Sequence, residues 1–216
     1  MEIIDSYRTI AAPTTGVYKE KGSKFIAYAF EINSEEDFKA RLEEVKKEHF
    51  KARHHCYAYA IGTARENYRY NDDGEPGGTA GLPIFNQIKS FDITNTGIIV
   101  VRYFGGTKLG VPGLIRAYKS STKDALESAE IIVRLIVDKV KIEYDYAFMG
   151  NIMRIANQFD IKILENTFNT LPGLIFEIRK SKTKEFIKSI YSAILNRDIK
   201  DIKDDEKIDG LKIEIC

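Results

Sequence analysis

The hydrophobic pattern in the first half of the chain switches between the period of a strand and the period of a helix. Residues 22–32 place successive side chains on two faces, which predicts a strand. Apolar positions then recur at helical spacing, and Ser34 stands where it can cap the first turn of that helix. The helical stripe consists of Phe38, Leu42, Val45 and His49. Residues 54–62 predict a further strand, with residues 66–70 as its hairpin partner.

A second alternation predicts the centre of the same domain. Residues 79–90 predict a helix that begins from a glycine-rich turn, and residues 97–104 form the nearly continuous apolar run of a buried central strand. Residues 110–130 then predict a helix with Pro112 near its first turn. The inner face of this helix is small enough to approach the sheet closely. It consists of Leu114, Ala117, Ser121 and Ala125.

The second half of the chain predicts the order βαββαβ, which is the ferredoxin-like plan. The elements fall at residues 131–144, 146–159, 161–168, 171–179, 183–195 and 206–216. We therefore predict an α+β protein of two domains, residues 1–132 and residues 133–216.

Composition and charge narrow the class of protein. The 216 residues are 44% hydrophobic, as in globular proteins, and the net charge is +1, so any affinity for nucleic acid must come from a local patch. No signal is specific for DNA. Cys56 and Cys216 have no zinc or disulfide spacing, and no apolar run approaches the roughly 20 residues of a membrane span. The start "MEIIDSYRTI" does not resemble a signal peptide, so we expect a cytoplasmic protein without cofactors.

The stretch "VRYFGGTKLG", residues 101–110, runs from the predicted central strand through a glycine turn into a helix N-terminus. Such a turn presents backbone N–H groups at the positive end of a helix dipole, where anions bind. Residues 93–123 contain five basic residues and no acidic residue. The predicted anion or RNA ligands are Arg102, Gly105, Gly106, Lys108, Arg116 and Lys119, with Tyr103, Phe104 and Tyr118 as stacking faces. Alternatively, the glycines serve packing and the basic residues are simply solvated.

The stretch "NDDGEPGGTAG", residues 71–81, crowds three carboxylates against glycines and a proline. Asp72, Asp73 and Glu75 offer oxygen ligands for a hard cation, or a general base close to His54. The alternative is an acidic turn whose carboxylates cap backbone N–H groups or pair with Arg102 or Lys108. The acids stand too close together for a familiar metal loop, so we assign no metal and no catalytic residue. Cys56 is expected to be a small buried residue.

A second basic segment follows a predicted strand in the second domain. Arg179, Lys182 and Lys184 lie between that strand and the next helix, where they could contact a phosphate backbone. A solvated loop is the alternative interpretation of the same residues.

Several of these stretches resemble the IMPACT family of small cytoplasmic proteins. They are "KGSKFIAYA", "ARHHCYAYAIG", "NDDGEPGGTAG" and "IIVVRYFGGTKLGVPGLIRAY", which together cover residues 21–118. The family signature begins at Gly81 and continues through Arg102 to Gly110, with Phe85 where an aliphatic residue is usual. The second half is similar in plan to the carboxy-terminal domain of bacterial members, itself like the last domain of elongation factor G.

The resemblance implies that the first domain folds like the second domain of a small-subunit ribosomal protein and like domain IV of elongation factor G, relatives that touch RNA. Eukaryotic members regulate translation and carry an extra amino-terminal partner-binding domain, which we do not expect here. The leading hypothesis is a non-enzymatic protein that binds RNA or the ribosome. The alternatives are a metal-assisted hydrolase that uses the Asp72, Asp73 and Glu75 loop, and a protein–protein module that acts on a translation factor.

Overall fold

The computed structural model describes residues 4–159, 161–168 and 171–216. The chain divides into two compact units, Ser6–Arg134 and Leu135–Cys216, with the described residues before Ser6 belonging to the second. Both units mix helices and strands, which confirms the α+β prediction. No helix in the described ranges is long and apolar enough to cross a membrane.

The first unit is built around a five-stranded antiparallel sheet with the strand order β2-β3-β6-β4-β5. Its elements are β1 (Ser6–Ile10), β2 (Thr14–Glu20), β3 (Ser23–Glu31), α1 (Glu35–Glu48), β4 (His54–Ile61), β5 (Asn67–Asn71), α2 (Gly81–Ser90), β6 (Thr96–Tyr103), α3 (Gly110–Glu127) and β7 (Ile131–Leu135). Strand β6 lies at the centre of the sheet and is buried along nearly its whole length, as its apolar run predicts. The Ser34 side chain caps α1, because its Oγ accepts the N–H of Asp37 at 3.1 Å.

The two faces of this sheet carry separate cores. Helices α2 and α3 cover the face that includes Phe25, Cys56 and Val100. Helix α1 covers the other face, where Phe38 packs against Tyr59. The small inner face predicted for α3 is buried as expected. This packing places the N-termini of α2 and α3 on one side of the sheet.

Three differences from the predicted elements concern the first unit and its boundary. The single strand predicted over residues 131–144 is two strands. Strand β7 pairs with β1, whereas β8 (Val137–Tyr144) belongs to the sheet of the second unit. Strands β1 and β2 were not predicted. The helix predicted from residue 79 begins at Gly81, since the backbone of Ala80 (φ −126°, ψ −68°) is not helical.

The second unit is a four-stranded antiparallel sheet with the strand order β11-β8-β10-β9. Its elements are β8 (Val137–Tyr144), α4 (Met149–Gln158), β9 (Lys162–Phe168), β10 (Pro172–Arg179), α5 (Lys180–Leu195) and β11 (Leu211–Ile215). Helices α4 and α5 pack on its core, where Phe186 contacts Phe159 and Phe176 edge-on. Helix α5 begins three residues before the predicted start, and α4 follows a short 3-10 turn over Tyr146–Phe148.

Candidate anion-binding cleft

A cleft of about 740 Å³ opens in the first unit, where β4 begins and β6 ends. One side is formed by the turn that precedes β4, and the other by the glycine turn and the first residues of α3. Glu75 and Pro76 of the acidic turn close a third side. The two glycine-rich stretches are therefore neighbours at one site.

Arg102 lies at the base of this cleft and is almost fully buried. Its position on β6 is directly opposite Phe25 of β3 and His54 of β4, so the three side chains share one face of the sheet. The Arg102 Nη1 donates to Glu75 Oε1 at 2.6 Å, and the two side chains are 7% and 3% exposed. Its guanidinium also lies 5.5 Å from the ring centres of Phe25 and Phe104. The Arg102 Nε has no hydrogen-bond partner among the described residues.

Glu75 is held by a second bond from inside the core. The Tyr118 hydroxyl donates to Glu75 Oε1 at 2.8 Å, and burial raises the pKa of Tyr118, which keeps this hydroxyl protonated. Tyr118 has no exposed surface, so our prediction that it stacks on a base is wrong. Position 118 falls on the buried face of α3, because it follows Leu114 by one helical turn.

Cys56 is a core residue rather than a nucleophile. Its thiol donates to the Asp72 carbonyl at 3.0 Å and lies 3.2 Å from the Tyr118 hydroxyl. Burial raises the pKa of this thiol, so the reactive thiolate is disfavoured.

The three carboxylates of the acidic turn point in three directions. Asp72 accepts the N–H groups of Gly78, Ala80 and Gly81 at 2.8–2.9 Å, so it neutralises the N-terminus of α2. Asp73, whose φ is +40°, accepts the His55 N–H at 2.6 Å, and Glu75 holds Arg102. Within the described ranges, no three His, Cys, Asp or Glu side chains are arranged to hold a metal ion. Asp72, Asp73 and Glu75 therefore do not come together as one set of ligands.

The neighbouring histidines have different surroundings. His54 lines the cleft, and its Nδ1 lies 2.8 Å from the Asp73 carbonyl. Because a carbonyl only accepts, this hydrogen bond places a proton on Nδ1. His55 lies on the opposite face, where burial lowers its pKa.

The glycine turn combines a packing role with an open helix N-terminus. The Gly105 N–H donates to Ser23 Oγ at 3.0 Å, and a Cβ at Gly105 would lie 1.9 Å from the Gly22 carbonyl carbon. Gly106 and Gly110 have φ of +87° and +72°. Helix α3 has no side-chain cap among the described residues and no acidic residue in its first turn. Gly105 thus serves packing, while the start of α3 keeps its positive end uncompensated.

The exposed basic residues around the cleft are only partly those that we predicted. Lys108 lines the cleft, together with Lys51 and Arg53, which sequence reasoning missed. Arg116 is ion-paired with Glu20 on the surface, and Lys119 lies further along α3, outside the cleft lining. The clue to the missed pair was their place directly before β4, the strand that pairs with β6.

The basic segment of the second unit is largely matched by acids. Arg179 is paired with Asp5 at 3.0 Å, and Lys184 with Asp204 at 2.7 Å. The Lys184 and Lys188 ammonium groups lower the pKa of Asp204 to about 2. Lys182 is exposed. Two of the three residues predicted in this segment are therefore already paired with acids.

The fold and the cleft define a two-unit α+β protein with a basic site on its first unit. The Impact N-terminal domain matches residues 21–126. The chain is 33% identical to the IMPACT family member YvyE of Bacillus subtilis (85% of this chain, 79% of YvyE) and 32% identical to YigZ of Escherichia coli (85% and 91%). A crystal structure described as "an hypothetical protein" is 28% identical, with a TM-score of 0.68 over 98% of this chain and 97% of that one. The chain belongs to the IMPACT family.

Proposed function

We propose that this protein binds RNA through the cleft at the N-terminus of α3. The proposal rests on one observation, the uncapped N-terminus of α3. Its backbone N–H groups have no side-chain cap among the described residues, and Gly110 and Val111 of its first turn line the cleft together with the buried Arg102. A phosphate there would meet the positive end of the helix dipole.

The structure changes which residues we assign to phosphate. Lys51, Arg53 and Lys108 are exposed at the cleft and are free to move toward a phosphate backbone. Arg102 supports the base of the site through its ion pair with Glu75. The backbone at Gly106 remains a candidate contact because nothing lies within 4 Å of a Cβ built there.

A role in translation is supported by membership of the IMPACT family. The resemblance given by the sequence motifs implies RNA contact for related folds and regulation of translation for eukaryotic members. On this basis the RNA proposed to occupy the cleft belongs to the ribosome or to a ribosome-bound complex, and catalysis is not part of the proposal.

The proposal is tested by titrating a fluorescent single-stranded RNA at two salt concentrations. The test variant carries Lys51→Ala, Arg53→Ala and Lys108→Ala, and a control of equal charge carries Lys39→Ala, Arg41→Ala and Lys47→Ala on α1. Wild-type affinity should fall steeply with salt, because each phosphate contact releases counterions. The slope of log K against log salt should fall by about 2 in the test variant, at about 0.7 per contact, and stay unchanged in the control. Equal slopes in all three proteins would contradict the proposal.

A further inference from the structure

The walls of the cleft are of two chemical kinds. One wall carries large apolar groups that are open to solvent, since Phe104 is 58% exposed and Val111 is 51% exposed. Leu109 and Leu114 extend this wall along the start of α3. A site that bound only a phosphate backbone would have no use for this apolar surface.

The rest of the cleft lining is polar and positively charged. Arg53 and Lys108 contribute exposed charges, and His54 contributes an imidazole ring. Arg102 also lines the cleft. It is 93% buried and paired with Glu75, and its Nε has no partner among the described residues. The exposed charges of Arg53 and Lys108, together with the open end of α3, point to an anionic group.

A ligand that fits both walls has a flat apolar part joined to an anion. The volume of about 740 Å³ falls in the range of small-molecule sites, about 300–1,000 Å³. Phe104 favours an aromatic part over an aliphatic chain, because a planar ring stacks on its exposed face. A nucleobase with its phosphate has this combination.

We infer that the cleft holds a single unstacked nucleotide, with the phosphate at the N-terminus of α3 and the base on Phe104. The inference rests on the proposed function and makes it specific for single strands, because a base in a duplex is already stacked and paired. The nucleotide comes either from a single strand of RNA or from a free nucleotide. The two sources share the same chemistry and are separated by experiment.

The experiment compares three probes at fixed salt: a 5′-labelled single-stranded RNA decamer, the blunt duplex of the same sequence, and AMP. Each is titrated against wild type, Phe104→Ala, Phe104→Tyr and, as a control, Val17→Ala, which removes another exposed apolar side chain outside the cleft. Circular dichroism confirms that each variant folds.

The decamer should bind wild type and Phe104→Tyr, and its affinity should fall by about 5- to 150-fold in Phe104→Ala, the range for loss of one stacked base. The Val17→Ala variant should bind like wild type, and the duplex should bind more weakly than the decamer. AMP binding that also depends on Phe104 would assign the site to free nucleotides, whereas binding of the decamer alone would assign it to a strand.

Equal binding of decamer and duplex, or unchanged affinity in Phe104→Ala, would overturn the inference while salt-dependent RNA binding still stood. If neither RNA binds wild type and AMP does not bind either, the inference and the proposed function both fail. If AMP binds through Phe104 while neither RNA does, the nucleotide site stands and the RNA function fails.

Discussion

Helices α2 and α3 both begin from a glycine-rich turn, but their positive ends are compensated differently. At α2 the protein supplies its own anion, because the Asp72 carboxylate accepts three backbone N–H groups. At α3 no side chain among the described residues caps the first turn, and Glu75, the acid that lines the same cleft, is paired with Arg102. The acidic turn is therefore internally satisfied, while the glycine turn is open to an external ligand.

The difference teaches that a crowded acidic motif need not be a reactive site. Asp72, Asp73 and Glu75 are all engaged by backbone N–H groups or by Arg102. In the stretch with no acidic residue, Arg102 and Arg116 are paired with Glu75 and Glu20, whereas Lys108 and the first turn of α3 have no acidic partner among the described residues. A local surplus of unmatched charge is the better guide to a ligand site.

The largest expected effect comes from breaking the buried pair that joins the two turns. Glu75→Leu leaves Arg102 buried without a partner, which should lower the free energy of unfolding by about 3–5 kcal/mol. The double variant Glu75→Leu, Arg102→Met should recover most of that loss, because a buried pair is often replaced by apolar residues at little cost. Urea unfolding measures both. A single variant as stable as wild type would show that the pair does not organise the site.

A smaller loss of stability is expected at the N-terminus of α2, which Asp72 caps. Asp72→Ala removes the carboxylate that accepts from Gly78, Ala80 and Gly81, and should cost about 1.5–3 kcal/mol of unfolding free energy. Glu44→Ala, an exposed acid beyond the first turn of α1, serves as the control and should stay within about 0.5 kcal/mol of wild type. If both substitutions cost the same, α2 does not depend on Asp72.

The histidine behind the acidic turn should make stability depend on pH. Burial lowers the folded-state pKa of His55 below its ordinary 6.5, so the unfolded chain takes up this proton first as pH falls. Above about pH 6.5 the ring is neutral in both the folded and the unfolded chain, so it does not change the free energy of unfolding. That free energy falls as pH drops from there toward the folded-state pKa. Urea midpoints from pH 7.5 to 5 should therefore fall more in wild type than in His55→Gln. Parallel curves for the two proteins would contradict this assignment.

Much of the fold could be predicted because its signals are local. The apolar run of β6, the stripe of α1 and the Ser34 cap each follow from neighbouring residues. Strand β7 could not be separated from β8 in this way, since its partner β1 is more than 100 residues away in the chain. A continuous apolar pattern does not reveal where a strand changes its partner.

The candidate site was less predictable because it is assembled from distant segments. Arg102 was expected to bind phosphate directly, and its burial depends on Glu75 and Tyr118, which come from two other parts of the chain. Lys51 and Arg53 reach the cleft only through the pairing of β4 with β6. Tyr118 could have been placed correctly, since helical spacing puts it among Leu114 and Ser121 on the buried face.

The most direct test is to supply the N-terminus of α3 with a carboxylate, as Asp72 does for α2. Val111 is exposed in the first turn of α3 and lines the cleft, so Val111→Glu places a carboxylate where the anion is proposed to bind. The matched control is Val111→Gln, which has nearly the same shape without the charge. Both are compared with wild type by urea unfolding and by titration with single-stranded RNA.

Val111→Glu should raise the free energy of unfolding by about 0.3–1 kcal/mol, because an acid complements the helix dipole. It should weaken RNA binding about tenfold or more, because a like charge then faces the phosphate. Val111→Gln should change RNA affinity much less. Equal RNA affinity in the glutamate and glutamine variants would contradict the claim that the N-terminus of α3 is the phosphate site.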